Sequence, residues 1–189
     1  NGSIFDDYFK INSRKIPKVL WIVIYIDEIL PKKIDKNILI VSKKKTSLSF
    51  FPNFLFLLKT IFCVVIRNKG SLKKTAHYLS SYSTFGDIII NKLKNYLKEK
   101  KLRSIIMPYE GQPFQQMIFN YAKKNNSKIK TIGYAHDAEP LQFHLFHRQG
   151  SPDKMLIQAR CRKKYFNKYL NWPLHKLRHI PSIRHRYDN

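Results

Sequence analysis

Acidic residues are scarce in this chain: 12 Asp or Glu stand against 36 Lys or Arg in 189 residues, a formal net charge of +24. That imbalance calls for an anionic partner, whether nucleic acid, an anionic membrane surface or a phosphorylated ligand. Part of the excess accompanies abundant Ile, Asn, Phe and Tyr, the composition of an AT-rich genome, so charge alone does not define a function. Cysteine is nearly absent. Cys63 and Cys161 are far apart, with no CxxC and no His/Cys zinc spacing, so both read as free thiols and a reducing cytoplasmic setting is the default. There is no Gly-rich phosphate loop of the Walker or dinucleotide type, no internal repeat, no low-complexity linker and no visible signal peptide. Long apolar runs are missing too. The most hydrophobic stretch, residues 50–66, is interrupted by Pro52, Asn53 and Lys59, and a spanning helix needs about 20 apolar residues. It reads as a core helix against a sheet. The alternative is a helix in a membrane interface beside Arg67, Lys69, Lys73 and Lys74.

What is present is an alternation of apolar runs and amphipathic segments. Ile4, Phe5, Tyr8 and Phe9 suggest one apolar helical face. Residues 19–26, rich in β-branched and aromatic side chains, predict a buried strand, and Asp27 and Glu28 close it; residues 37–41 predict a second, parallel strand with a basic exit at Lys43, Lys44 and Lys45. Residues 71–83 are polar and Ser-rich, a connection or weak helix containing His77. Residues 85–102 predict an amphipathic helix that buries Ile88, Ile89, Leu93, Tyr96 and Leu97 and exposes Lys92, Lys94, Lys98, Lys100 and Lys101.

The chain is organised around residues 104–137. Residues 104–107 suit a strand buried on both faces of a parallel sheet, ended by Pro108. Tyr109, Glu110 and Gly111 form a tight connection, Gln112 stands near the helix cap, and Pro113 sits where a first turn tolerates a missing N–H. Phe114, Met117, Ile118, Tyr121 and Ala122 recur on one helical face, closed by residues 123–126; residues 129–134 are the next strand, and Ala135, His136 and Asp137 lie just past its end. Polar loops thus leave neighbouring strand ends, where open α/β sheets bind ligands. Glu110 and His136 would supply a carboxylate and an imidazole for general acid/base chemistry. Each has a structural reading as well: Glu110 complementing the helix dipole, His136 as a hydrogen-bonded strand-end residue.

A long segment with little periodicity follows, carrying His144, His147 and Arg148, which read either as facing the same cleft or as plain loop residues. Residues 154–158 predict a strand, 160–169 a basic helix, and 177–181 a last strand leading to Ser182, Arg184, His185 and Arg186. No metal ligand set is present, since His136, Asp137 and Glu139 lack helical spacing and no second cluster completes them.

At Pro-Tyr-Glu-Gly-Gln-Pro-Phe-Gln (108–115), Ile-Gly-Tyr-Ala-His (132–136), Ser-Pro-Asp-Lys (151–154) and Ile-Pro-Ser-Ile-Arg (180–184), the chain resembles bacterial surface-carbohydrate biosynthesis proteins, GT-B glycosyltransferases of capsule and O-antigen pathways. A Glu at a strand end before an aromatic-containing helix start is also similar to 3-deoxy-manno-octulosonic acid transferases. Where the family pattern has Ser or Thr after the His, this chain has Asp137. The resemblance implies a Rossmann-like parallel sheet flanked by helices, the N-terminal half of a GT-B two-domain architecture. Residues 1–180 would be the acceptor-side domain and 181–189 the start of the crossover to a donor-binding domain. The chain starts at Asn1 without Met and ends at Asn189 just after a strand-like segment, and so reads as part of a longer protein.

The expected activity is metal-independent transfer of a sugar from a nucleotide sugar to a glycan or lipid-linked acceptor. It would need no cofactor beyond that donor. Glu110 and His136 are the candidate catalytic residues, and Tyr109, Gln112, Asp137, His144, Arg184 and Arg186 the candidate substrate-binding ones. The protein would work in the cytoplasm or peripherally on the inner face of the bacterial membrane. Two other readings stay open: a basic nucleic-acid-binding module, which lacks a reader motif here, and a non-catalytic scaffold in polysaccharide assembly.

Overall fold

The structure, a computed structural model, describes residues 2–6, 11–25, 32–42, 58, 61, 81–98, 102–135 and 143–181. The chain divides into two compact units, Asn1–Ser80 with Ile183–Asn189, and Ser81–Ser182.

In the first unit, β1 (Phe5–Asp6) pairs antiparallel with β2 (Ile11–Asn12). The helical face expected through Ile4 and Phe5 therefore does not form there. The cause is local: Ile4 N donates to Ser13 Oγ at 3.0 Å, Ser13 N donates to Ile4 O at 2.8 Å, and Asn12 Oδ1 accepts from Arg14 N at 2.9 Å. Short polar side chains that bond the backbone in this way compete with helix. Tyr8 and Phe9 lie outside the described residues. Strands β3 (Trp21–Tyr25) and β4 (Ile38–Ser42) pair in parallel with Trp21 opposite Ile38, as the two apolar runs predict. Val41 is buried but Ile24 is exposed, so β3 is less enclosed than its composition suggests. Asp27, Glu28, Lys43 to Lys45 and His77 lie outside the described residues. Within the hydrophobic stretch 50–66, only Leu58 and Ile61 are described, and both are helical and exposed.

The second unit opens with α1 (Ser81–Lys98), which starts four residues before the predicted 85 and buries Ile89, Leu93 and Leu97 at i, i+4, i+8. It packs on α2 (Pro113–Asn125), where Phe85 meets Phe114 edge-on at 5.2 Å between ring centroids. Beside that pair, Gly86 lets the helices close: a Cβ there would lie 3.1 Å from the Met117 sulfur.

Four strands, β5 (Ser104–Pro108), β6 (Lys130–Ala135), β7 (Lys154–Ile157) and β8 (Leu177–His179), form one parallel sheet in the order β5-β6-β7-β8, with α3 (Arg160–Leu170) between the last two. This is a mixed α/β unit with a parallel sheet flanked by helices, compatible with a Rossmann-like fold. Because every crossover steps in the same direction, right-handedness puts all the connections on one face. That face, with Ile105, Thr131, Met155, Ile157 and Leu177, is buried. Its reverse is not. Ile106 is 60% exposed, which corrects the expectation of a β5 buried on both sides.

Among its described residues the β6 to β7 crossover holds a 3-10 turn and no α-helix. Its described part, from the 3-10 turn Phe143–Leu145 onward, lies between α2 and α3. His147 N donates to Leu170 O at 2.9 Å, and Gly150 packs against Asn120 and Gln116 of α2. Trp172, fully buried, sends its indole N–H to Leu145 O at 2.7 Å. The Ser-Pro-Asp stretch then ties the strand starts: Thr131 N donates to Asp153 Oδ2 at 3.0 Å, Asp153 N to Thr131 Oγ1 at 2.9 Å, and Lys123 pairs with Asp153. This motif thus braces the amino ends of β6 and β7, opposite the edge where a ligand is expected.

Candidate functional site

Past Pro108, Tyr109 N still donates to Tyr134 O at 2.9 Å, so the β5–β6 ladder holds up to the residue before Glu110. The chain must then turn into α2, and Gln115 shapes the turn. Its Oε1 accepts from Glu110 N and Gln112 N, both at 3.0 Å, while its Nε2 donates to Pro108 O at 2.7 Å. Three backbone groups that would otherwise be orphaned at a helix start are satisfied by one buried amide, 5% exposed. Gln112 is the N-cap, in extended conformation, as its position before Pro113 predicts.

Between them, Gly111 has φ +73. A Cβ there would lie 2.1 Å from the His144 carbonyl oxygen, so the turn Phe143–Leu145 rests directly on the glycine backbone. The Gly111 carbonyl accepts from Gln116 Nε2 at 3.0 Å and Arg148 Nη2 at 3.3 Å. Glu110 is accordingly presented, half-buried, on a backbone held from both sides at the carboxyl end of β5 and the amino end of α2.

Of the residues singled out from sequence, Glu110, Gln112 and His144 are brought onto adjoining backbone, with the His144 side chain exposed. Tyr109 is not at the rim. Its ring is 1% exposed in the core, near Phe119 and edge-on to Trp172 at 6.4 Å, because it continues the alternation of β5 onto the buried face. Burial raises its phenol pKa, an effect moderated by Ser151, Gln116 and Arg148. The hydroxyl lies near Ser151 and Gln116 without a well-formed hydrogen bond to either. Tyr109 therefore supports the site from beneath. His136, Asp137, Arg184 and Arg186 lie outside the described residues.

A second histidine shapes the crossover. His147 stacks edge-on against Trp172 at 4.9 Å, and its Nε2 lies 3.2 Å from Lys176 Nζ. An ammonium can only donate, so Nε2 accepts and the ring is neutral with its proton on Nδ1. Burial first, then Lys176 and His175, lower the pKa of this imidazole.

Gln115 and Trp172 escaped the sequence reading. For Gln115 a signal existed: a Gln three residues after the cap is the capping-box position. Trp172 follows Asn171, which has φ 56 at the end of α3; Trp172 N donates to Phe166 O at 3.1 Å, and the two rings touch, the pattern of a left-handed cap closed by an apolar residue. Arg148, which the sequence offers with His144 and His147 for the cleft, reaches the Gly111 carbonyl. Cys161 is a free, exposed thiol on α3. Among the described residues no group of three or more His, Cys, Asp or Glu could hold a metal ion, and no helix is long and apolar enough to cross a membrane.

No family model, curated protein or solved structure matches the chain.

Proposed function

We propose that the protein transfers a sugar from a nucleotide-activated donor to a surface polysaccharide or lipid-linked glycan acceptor, this chain supplying the acceptor side of a GT-B type enzyme. The observation that supports this reading is the Glu110 turn: a carboxylate on rigidly held backbone at the carboxyl end of a parallel strand, beside a helix N-terminus and the turn bearing His144. Glu110, or His136 in its place, takes the proton from the acceptor hydroxyl as that oxygen attacks the anomeric carbon. The bond to the nucleotide diphosphate breaks, and Arg184 and Arg186 neutralise the leaving group. Gln112, Asp137 and His144 orient the acceptor hydroxyls. The reaction takes place in the cytoplasm at the inner face of the membrane, where a lipid-linked acceptor is anchored.

The test pairs binding with turnover. A thermal-shift screen of the full-length protein against nucleotides and nucleotide sugars is expected to show a selective shift, since ligand at about 100 times its dissociation constant adds about 2.7 kcal/mol. With that donor, Glu110→Gln is expected to keep the shift and lose about 10²–10⁴-fold in transfer rate, the usual worth of a general base. No shift with any nucleotide class, or full transfer by Glu110→Gln and His136→Gln alike, sinks the reading.

A further inference from the structure

Arg160, Lys164 and Lys168 stand four residues apart along α3, and all three are exposed. The buried side of the helix is Phe166 and Leu170, packed towards the sheet, so the three cations form one row on the outward side. Like charges at this spacing oppose helix formation. The sequence has no Asp or Glu between Asp153 and Asp188, and among the described residues no ion pair reaches this row. At the far end of the row, Tyr169 is 50% exposed, and Leu174, in the turn that follows, is 51% exposed.

We infer that this outward face of α3 docks on an anionic lipid bilayer. A row of flexible cations on an open, convex helix needs a plane of phosphates and no matched groove, and an exposed Tyr and Leu at one end suit the depth of the headgroups. Nucleic acid fits less well. Single strands are held by aromatic faces open for stacking. Here Tyr165 and Tyr169 pack on each other at 5.0 Å with 42° between their planes, and Lys168 Nζ lies 5.2 Å from the centre of the Tyr169 ring, so part of the ring is already engaged while half of Tyr169 stays exposed. The inference rests on the membrane placement proposed above, but its test reads binding and not turnover, so the two can fail separately.

The experiment is co-sedimentation of the full chain at low salt with vesicles of phosphatidylcholine alone, or with roughly a third phosphatidylglycerol. Binding is expected only to the anionic vesicles. Arg160→Gln, Lys164→Gln and Lys168→Gln together are expected to weaken it about a hundredfold, from about 1 kcal/mol for each charge near the surface. A control that removes the same charge from exposed lysines elsewhere, Lys92→Gln, Lys94→Gln and Lys124→Gln, is expected to weaken it by less than about threefold. Equal losses in both triple variants would show that net charge and not this face binds. A row variant that binds vesicles normally overturns the proposal. So does a row variant that loses affinity for RNA or DNA while the unaltered chain ignores vesicles, which would make the partner a nucleic acid.

Discussion

The indole N–H of Trp172 donates to the carbonyl of Leu145 across 27 positions of sequence, at 2.7 Å and fully buried. This bond joins the residue that follows the cap of α3 to the turn that rests on Gly111, so the packing of the last helix sets the height of the wall beside Glu110. Trp172→Phe keeps most of the ring and removes the donor, leaving the Leu145 carbonyl unpaired. An unsatisfied buried group costs about 1–3 kcal/mol, and thermal unfolding of this variant is expected several degrees lower. Unchanged melting would show that the bond contributes nothing.

Gly111 and Gly150 both have positive φ, but their surroundings differ. A methyl at Gly111 meets the His144 carbonyl carbon and oxygen, which are backbone; at Gly150 it meets Asn120 Nδ2 and Gln116 Cβ, which are side chain. Both alanine variants carry the strain of a left-handed residue, of order 1 kcal/mol or more. Gly111→Ala must in addition move the turn Phe143–Leu145. Urea denaturation should therefore rank Gly111→Ala as the more damaging of the two.

Gln115→Met keeps volume and helix propensity while removing the amide that serves Glu110 N, Gln112 N and Pro108 O. With these groups partly rescued by water at a half-exposed turn, a loss of about 2 kcal/mol is expected in chemical denaturation. Amide hydrogen exchange is the sharper readout. Glu110 and Gln112 should lose protection while the β5–β6 ladder keeps its own.

Two groups make stability depend on pH in separate windows. His147 has its pKa lowered in the fold, so the unfolded chain takes up its proton first. Its contribution is complete above the ordinary imidazole value of about 6.5 and is lost as pH falls below it, and His147→Phe should flatten that part of the profile. For Asp153, burial pulls the carboxyl upward but hydrogen bonds from Lys123 and Thr131 outweigh it, and the folded pKa is lowered. Its contribution is present above the ordinary carboxylate value of about 3.9 and is lost in more acidic solution. Asp153→Asn should remove the acid limb and leave the one near neutrality. A profile with no slope between about pH 7 and 5 would contradict the account of His147.

Strands β3 to β8, α2 and α3 were legible in the sequence because each is a local pattern: short β-branched runs closed by polar residues, or apolar residues at helical spacing next to Pro113 or after Ala159. The same locality put Glu110 at a strand end and Gln112 at a helix cap. What one side of a strand meets is not local. Ile106 looks as apolar as Ile105, yet only Ile105 is covered, since the direction in which crossovers step decides which face is closed. Tyr109 reads as a rim residue by its place in a motif, and strand alternation carries its ring into the core instead. The turn at Gly111 depends on a carbonyl from residue 144, and the wall behind it on an indole from residue 172; no period or propensity links positions so far apart. Composition and spacing by themselves determined the basic charge, the order of the described strands and α-helices from β3 onward, and the strand-end turn. Only tertiary packing decided which residues hold that turn, because burying an apolar face and satisfying every backbone group are conditions on the whole unit and not on any segment of it.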